Sequence, residues 1–535
     1  MIRPAPWYRL DATSNRHTTT GTPAITPDQL QKLLAVVLYC AVLIVLGWLA
    51  SRRTHDIRDY FAGGKRLGFI NVAFSARATG ESAWLLIGLT GTGFAVGALG
   101  FWVVLGECVG VGGAWLIFAR RFKRLTDRYD SITVPDYLES RLRDDSHGLR
   151  LIAAAALIIF VPIYAGSQVF ATGKAFHAFL DWNHFLGATV GFLVVLFYIT
   201  KGGFLAVVWS DVFQGSLMFL GLVALPIVGL MEIGGVTNLL DTLRASHPEH
   251  LTITGGAGWT PLTITTIIGF AAIGIGFWGS PQVFVRFISL KSEREINKGL
   301  VVALVWTLLA DSGAVLVGIV GRALFSMDEI GGDKEFILPF MSQSLLPSFL
   351  AGVYIAMVLS AIMSTIDSLL VVASSAAVRD YWQKTKHPDM SDEQLIKLGQ
   401  ILTFALALIA FAIGMVLIAV NRENEAFWII IFGWSGIAAT FCPVMILSIF
   451  WRRLTARGAM WSMASGFAMV PFIKFALPRL LPESALAYLE ALDVLLPAFA
   501  VAMLVAVVVS LLDKKGQAKL EGVDVDFEFA TQKHE

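Results

Sequence analysis

Met357 to Ser368, MVLSAIMSTIDS, places small polar side chains inside a stretch otherwise apolar enough to cross a membrane. Wound as a helix, Ala361, Ser364, Thr365 and Ser368 fall at i, i+3, i+4 and i+7 and share one face. Two readings fit that strip. Small residues permit close helix contact in a bilayer, where hydroxyls often bond only their own backbone. Alternatively, the converging oxygens are ligands for a hard cation. Asp367 adds weight to the second reading, because an intramembrane carboxylate is costly and usually faces a partner or a watery cavity.

Outward from that stretch, the 535-residue chain is 56% hydrophobic and 15% charged, with a mean hydropathy of +0.69. Such a composition lies outside the range of soluble globular domains. A spanning helix takes about 20 apolar residues. Thirteen segments qualify: 32–50, 72–97, 101–119, 150–173, 184–200, 204–230, 263–287, 299–324, 347–378, 397–420, 427–450, 458–477 and 490–512. The net charge of +1 says little, but Lys and Arg concentrate on alternate loops. The positive-inside rule then puts the N-terminus outside and the C-terminus in the cytoplasm; the membrane expected is the plasma (inner) membrane. The most basic loop, ARRFKRLTDRYDSITVPDYLESRLRDDSHGLR after the third span, reads as a topogenic signal rather than a nucleic-acid or lipid patch. Cys40, Cys108 and Cys442 sit within spans, as small core residues rather than a disulfide framework or metal site. Residues 1–31 read as a flexible external tail without a signal peptide, and 513–535 as a cytoplasmic tail.

Two spans carry interruptions. In the second, NVAFSARATGESAWLLIGLTGTGFAVG, Thr79, Gly80, Glu81 and Ser82 break the apolar run. Unwinding at Gly80 frees carbonyls near Ala78 and Glu81 to become cation ligands, while Arg77 and Glu81, at i and i+4, are also spaced for a local ion pair. In the seventh, TIIGFAAIGIGFWGSPQVFVRF, Gly279, Ser280 and Pro281 form a second break. Gly274, Gly276 and Gly279 match a dinucleotide-binding glycine pattern, yet no strand precedes them, and close packing explains them better. Asp211 and Gln214 open the sixth span, either as a dipole-stabilised helix start or as functional groups. His247 and His250 in the loop 231–262 read as solvated, and Asp311 in the eighth span stands out for no role. Breaks five spans apart point to an inverted-repeat transporter, with spans two to six matching seven to eleven.

DYFAGGKRLGF, SAWLLIGLTG, GGFLAVVWSDVFQG, GSPQVFVRFISLKS and AIMSTIDSLLVVASS, in this order, resemble the sodium/solute symporter family, most nearly its sodium/proline symporters, over about 56–480. The resemblance implies an all-α membrane protein of the LeuT type: two inverted five-helix repeats (72–230 and 263–450), one extra helix before them (32–50) and two after (458–512). It further implies a sodium ion held by the Ala78, Glu81 and Ala361 carbonyls and the Ser364 and Thr365 hydroxyls. A second sodium is implied at Asp211, Ser364 and Ser368, with Asp367 standing where members that have it carry a serine. Two departures alter the solute pocket. Gly80 stands where the proline transporters have an aspartate, with Glu81 following, and Ile273 and Phe277 replace a tryptophan and a tyrosine. Glu81, Trp84, Phe277, Trp278 and Gln282 are the resulting candidates for solute contact.

The function expected is sodium-coupled uptake of a small organic solute, proline or a related amino acid, by alternating access. Sodium and the solute are the ligands, lipid is the surroundings, and no nucleic-acid partner is expected. No catalytic dyad, metal cluster or nucleophile motif speaks for an enzyme. Two alternatives stay open: proton coupling through Glu81, Asp211 or Asp367, and a solute sensor without useful flux.

Overall fold

A computed structural model of the chain describes residues 26–53, 56–199, 203–420 and 425–532. Among these, eleven helices are long and apolar enough to cross a membrane. All thirteen expected spans are accounted for, because the helical run Trp84–Arg128 carries the later half of the second span and the whole third, and His184–Ile199 forms a shorter fifth. Residues 1–25 of the expected tail lie outside the described residues. Residues 27–31, read as tail, are instead the first turn of Pro27–Ser51. Thr26 caps that helix: its hydroxyl accepts from the Gln29 N–H, and the Gln29 side chain accepts from the Thr26 N–H, both at 3.2 Å.

The ninth span, Ser348–Ser375, is the axis of the bundle. Its apolar window is 100% buried, against 28% for the first span, and it packs on the first, second, fourth, sixth and tenth. In a bilayer it is the helix with small and polar residues, here Ser360, Ser364, Thr365, Asp367 and Ser368, that belongs in the interior of the bundle. The second span is Phe69–Gly80 followed, after a break, by a wide π turn at Trp84–Leu89 and then Thr90–Val96. The seventh runs Pro261–Ala272, tightens to a 3₁₀ turn at Ile273–Trp278, breaks, and resumes as Pro281–Ser289. Both interruptions fall where glycine and proline placed them. Leu67, before the second span, takes its backbone bonds from the end of the seventh: its N–H donates to Ser289 O (3.0 Å) and its O accepts from Lys291 N–H (2.9 Å). One broken helix therefore begins beside the place where the other finishes, as in an inverted pair.

Glycines weld the third span to the seventh. A Cβ on Gly110 would stand 2.1 Å from Gly274 O, and one on Gly274 2.0 Å from Gly106 O, so the two backbones touch. One further expectation needs correction. His250 is not solvated: it is 4% exposed, its Nε2 lies 3.0 Å from Phe94 O, and it presses on Gly97, whose left-handed φ of +59° leaves no room for a side chain. The segment after the thirteenth span folds as two short helices, Lys514–Lys519 and Val523–Thr531, held to the loop after span three by ion pairs of both senses: Asp526 of the segment pairs with Arg128 at 2.7 Å, and its Lys519 with Asp145 of the loop at 2.8 Å.

Candidate functional site

The break in the second span leaves three successive carbonyls without helical donors, and each finds another. Ala78 O accepts from the Ser364 hydroxyl at 2.8 Å, Thr79 O from the Thr365 hydroxyl at 3.1 Å, and Gly80 O from the Trp84 indole at 3.0 Å. The freed amides are served too, since Ala83 N–H donates to Gln168 Oε1 of the fourth span at 3.0 Å. Ser364 Oγ also lies 3.2 Å from Ala361 O. Five neutral oxygens from two spans thus converge, all on buried residues, which is the donor set a hard cation takes. Of the candidate ligands, Ala78, Ala361, Ser364 and Thr365 are brought together. The Glu81 carbonyl takes no hydrogen bond from the ninth span among the described residues; Thr79, passed over in the sequence, supplies the oxygen facing Thr365.

Asp211 and Ser368 also meet, but through a guanidinium. Arg286 of the seventh span, itself fully buried, donates to Asp211 Oδ2 at 3.0 Å and to Ser368 and Thr79 at 2.5 Å each, while its Nε reaches Ser75 at 2.8 Å. Asp211 Oδ1 remains without a hydrogen bond among the described residues. Ser364 is not part of this cluster, because its hydroxyl is turned to Ala78. Asp367 is buried and accepts from Ser368 at 3.2 Å.

The expected solute contacts divide. Trp84 is 3% exposed beside the break. Phe277 covers Gly80 so closely that a Cβ there would be 2.6 Å from its ring, and it lies 5.1 Å from the Trp434 ring. Trp278 does not face this space. A 3₁₀ turn rotates successive side chains by about 120°, so Trp278 points into the third span, donating to Gly110 O at 3.1 Å and stacking on Phe118 at 6.0 Å. Among the described residues the Gln282 side-chain oxygen, the Gln168 amide nitrogen and the Ser435 hydroxyl have no hydrogen-bond partner. Buried polar atoms without partners around a helix break mark where a polar ligand belongs. Tyr164, 3.5 Å from Ser82, closes the ring. The sequence hid Tyr164, Gln168, Ser435 and Arg286, polar residues scattered in apolar spans with no break or hydroxyl strip beside them to single them out.

Glu81 turns its carboxylate to a buried cluster. It pairs with Arg77, whose Nη2 also lies 3.6 Å from Glu107 of the third span and 3.8 Å from Asp311 of the eighth. At the far end of the fourth span, Lys174 pairs with Glu335 (2.5 Å) and Asp333 (2.6 Å), and Glu335 accepts the Ala426 and Phe427 amides that start the eleventh span.

A model of the sodium:solute symporter family matches residues 60–466. The chain is 34% identical to the high-affinity proline transporter of Bacillus subtilis, over 80% of this chain and 89% of that one. It is 30% identical to the sodium/proline symporter of Escherichia coli, over 81% and 86%. A solved Na+-coupled sialic acid symporter, substrate-bound and outward-open, superposes with a TM-score of 0.74 at 18% identity, covering 90% of this chain and 98% of that one. The fold is of the LeuT type.

Proposed function

Because the chain belongs to the sodium:solute symporter family, we propose that it couples sodium influx to the uptake of a small organic solute by alternating access, with proline the first solute to test. Relatives that are proline transporters by name support that choice of solute. The observation that carries the reading is the meeting of Ser364 with Ala78 and of Thr365 with Thr79 across a helix break. Neutral oxygens ligate sodium but do not take up and hold a proton at neutral pH as a titrating carboxylate can, which favours sodium over proton coupling.

In this reading sodium is held by Ala78, Glu81, Ala361, Ser364 and Thr365, with the Thr79 carbonyl added to the set. The ion ties the second span to the ninth and so favours the state that receives solute; that differential affinity is the coupling. A sodium at the second position has to share Asp211 with Arg286. The solute lies near the midplane against Glu81, Trp84, Phe277 and Gln282, joined by Tyr164, Gln168 and Ser435. Residues 72–230 and 263–450 are the two repeats, and the protein sits in the plasma membrane with its C-terminus in the cytoplasm.

The test is uptake of labelled proline into proteoliposomes under an inward sodium gradient, with potassium as control. Ser364→Ala/Thr365→Ala is expected to raise the sodium concentration for half-maximal uptake about tenfold or more. Uptake that follows a proton gradient and ignores sodium would overturn the reading.

A further inference from the structure

We propose that Arg77 is a resident stand-in for the ammonium group of the solute: it holds Glu81 while the site is empty and moves to Glu107 and Asp311 when the solute arrives. These residues then set selectivity for an amine-bearing solute. The inference rests on the reading of the helix break as the solute site.

The cluster holds one guanidinium against three carboxylates, with the Arg77 side chain 1% exposed and Glu81, Glu107 and Asp311 at 0%. One oxygen from each acid falls within 4.8 Å of the others. Arg77 Nη2 is in direct contact with Glu81 but 3.6 and 3.8 Å from Glu107 and Asp311, beyond hydrogen-bonding range. No carboxylate oxygen of the three acids receives a hydrogen bond of ordinary geometry among the described residues, so what sets Glu81 apart is its direct ion contact with Arg77. A shift of about 1 Å brings the guanidinium to charge-assisted bonding distance of either. Phe277 (4.9 Å) and Trp306 (5.4 Å) flank it with their ring faces and keep it in place during such a shift. The Cys108 thiol and Tyr164 phenol complete the titratable groups near Glu107 and Asp311.

Glu81 sits on non-helical backbone (φ −97°, ψ 58°) next to Gly80, under the Phe277 ring. It is the member of the cluster that borders the proposed solute space. A buried carboxylate released by its partner is severely penalised unless another cation takes over. An incoming ammonium does so at Glu81, and Arg77 in turn draws closer to Glu107 and Asp311, so every carboxylate of the cluster keeps a cation beside it. A neutral solute of the same shape offers Glu81 nothing and leaves Arg77 where it is.

The experiment measures labelled L-proline uptake at saturating sodium in wild type, Arg77→Gln and Glu107→Gln/Asp311→Asn, with cyclopentanecarboxylate, the ring without its amine, as competitor. The swap requires shifts of opposite sign. Removing the competing cation in Arg77→Gln lowers KM for proline, and removing its refuge in Glu107→Gln/Asp311→Asn raises KM about tenfold, with the sodium requirement unchanged in both. Cyclopentanecarboxylate competes poorly in wild type. A shift of KM in the same direction in both variants, or a change confined to maximal rate and melting temperature, overturns the swap while leaving the transport reading intact. Should Arg77→Gln fail to reach the membrane, the double variant decides alone, and an unchanged KM refutes the proposal. A wild type that takes up no proline brings down the solute reading and the swap with it.

Discussion

Arg286 joins the second, sixth and ninth spans at one point, through Ser75 and Thr79, Asp211, and Ser368. A guanidinium presents its donors in a rigid planar fork that reaches acceptors on several elements, whereas an ammonium gathers its donors on one atom. Arg286→Lys keeps the charge but cannot serve Ser75, Thr79, Asp211 and Ser368 together, so it is expected to fail as a conservative change, abolishing uptake and lowering stability by about 1–3 kcal/mol, the cost of leaving buried polar groups unpaired. Thermal denaturation in detergent together with uptake checks this, and a lysine variant with wild-type melting would show that charge alone suffices. Ser364 and Thr365 were legible in the sequence because their spacing put two hydroxyls on one face of an apolar helix. Arg286 was not, since a lone arginine at the end of a span looks like any positive-inside residue. Glu107 and Asp311 were hidden for another reason: each is a single acid in its own span, and only folding brings them to Arg77.

At the scale of elements, the two breaks were readable because Gly80 and the Gly279-Ser280-Pro281 run act on the backbone itself. What the sequence did not disclose was the 3₁₀ tightening at Ile273–Trp278, which turns Trp278 away from Phe277 and into the third span. The glycine pattern of the seventh span was read as packing, and Gly274 bears this out by resting on Gly106 O. Gly274→Ala is expected to destabilise the protein by about 1–3 kcal/mol through overpacking, and Gly274→Leu to prevent insertion of a folded protein. Gly47, which has nothing within 4 Å of an added Cβ, is the control that should tolerate alanine. Fluorescence-detected size-exclusion chromatography of the three variants reads the outcome.

For the molecule as a whole, apolar length and alternating loops laid out all thirteen spans before any coordinates, because a bilayer imposes its thickness on every crossing. The folded C-terminal segment escaped that reasoning, being short and acidic. Its Asp526 accepts from the Tyr129 hydroxyl at 2.8 Å and pairs with Arg128. Burial, then the Asp526 carboxylate, push the Tyr129 phenol above its ordinary value. A raised value in the folded state means that this contribution is fully present below the ordinary phenol range and lost as pH rises through it and beyond. The Arg452–Asp524 and Lys519–Asp145 pairs are largely exposed and weaken with salt. Limited proteolysis should therefore release the tail faster at strongly alkaline pH and at high ionic strength, and faster still in Asp526→Asn, while the membrane bundle stays intact. Equal cleavage under all these conditions would mean that the docked helices do not depend on these charges.

The hydroxyl links across the second helix break also bear on how the two spans can move. Ser364 and Thr365 join the second span to the ninth by hydrogen bonds to Ala78 and Thr79, so any motion that parts these spans has to open both links. The pair is a clasp across the middle of the bundle, and removing both hydroxyls is expected to let the second span work loose from the ninth, read as faster hydrogen–deuterium exchange of the backbone around Gly80.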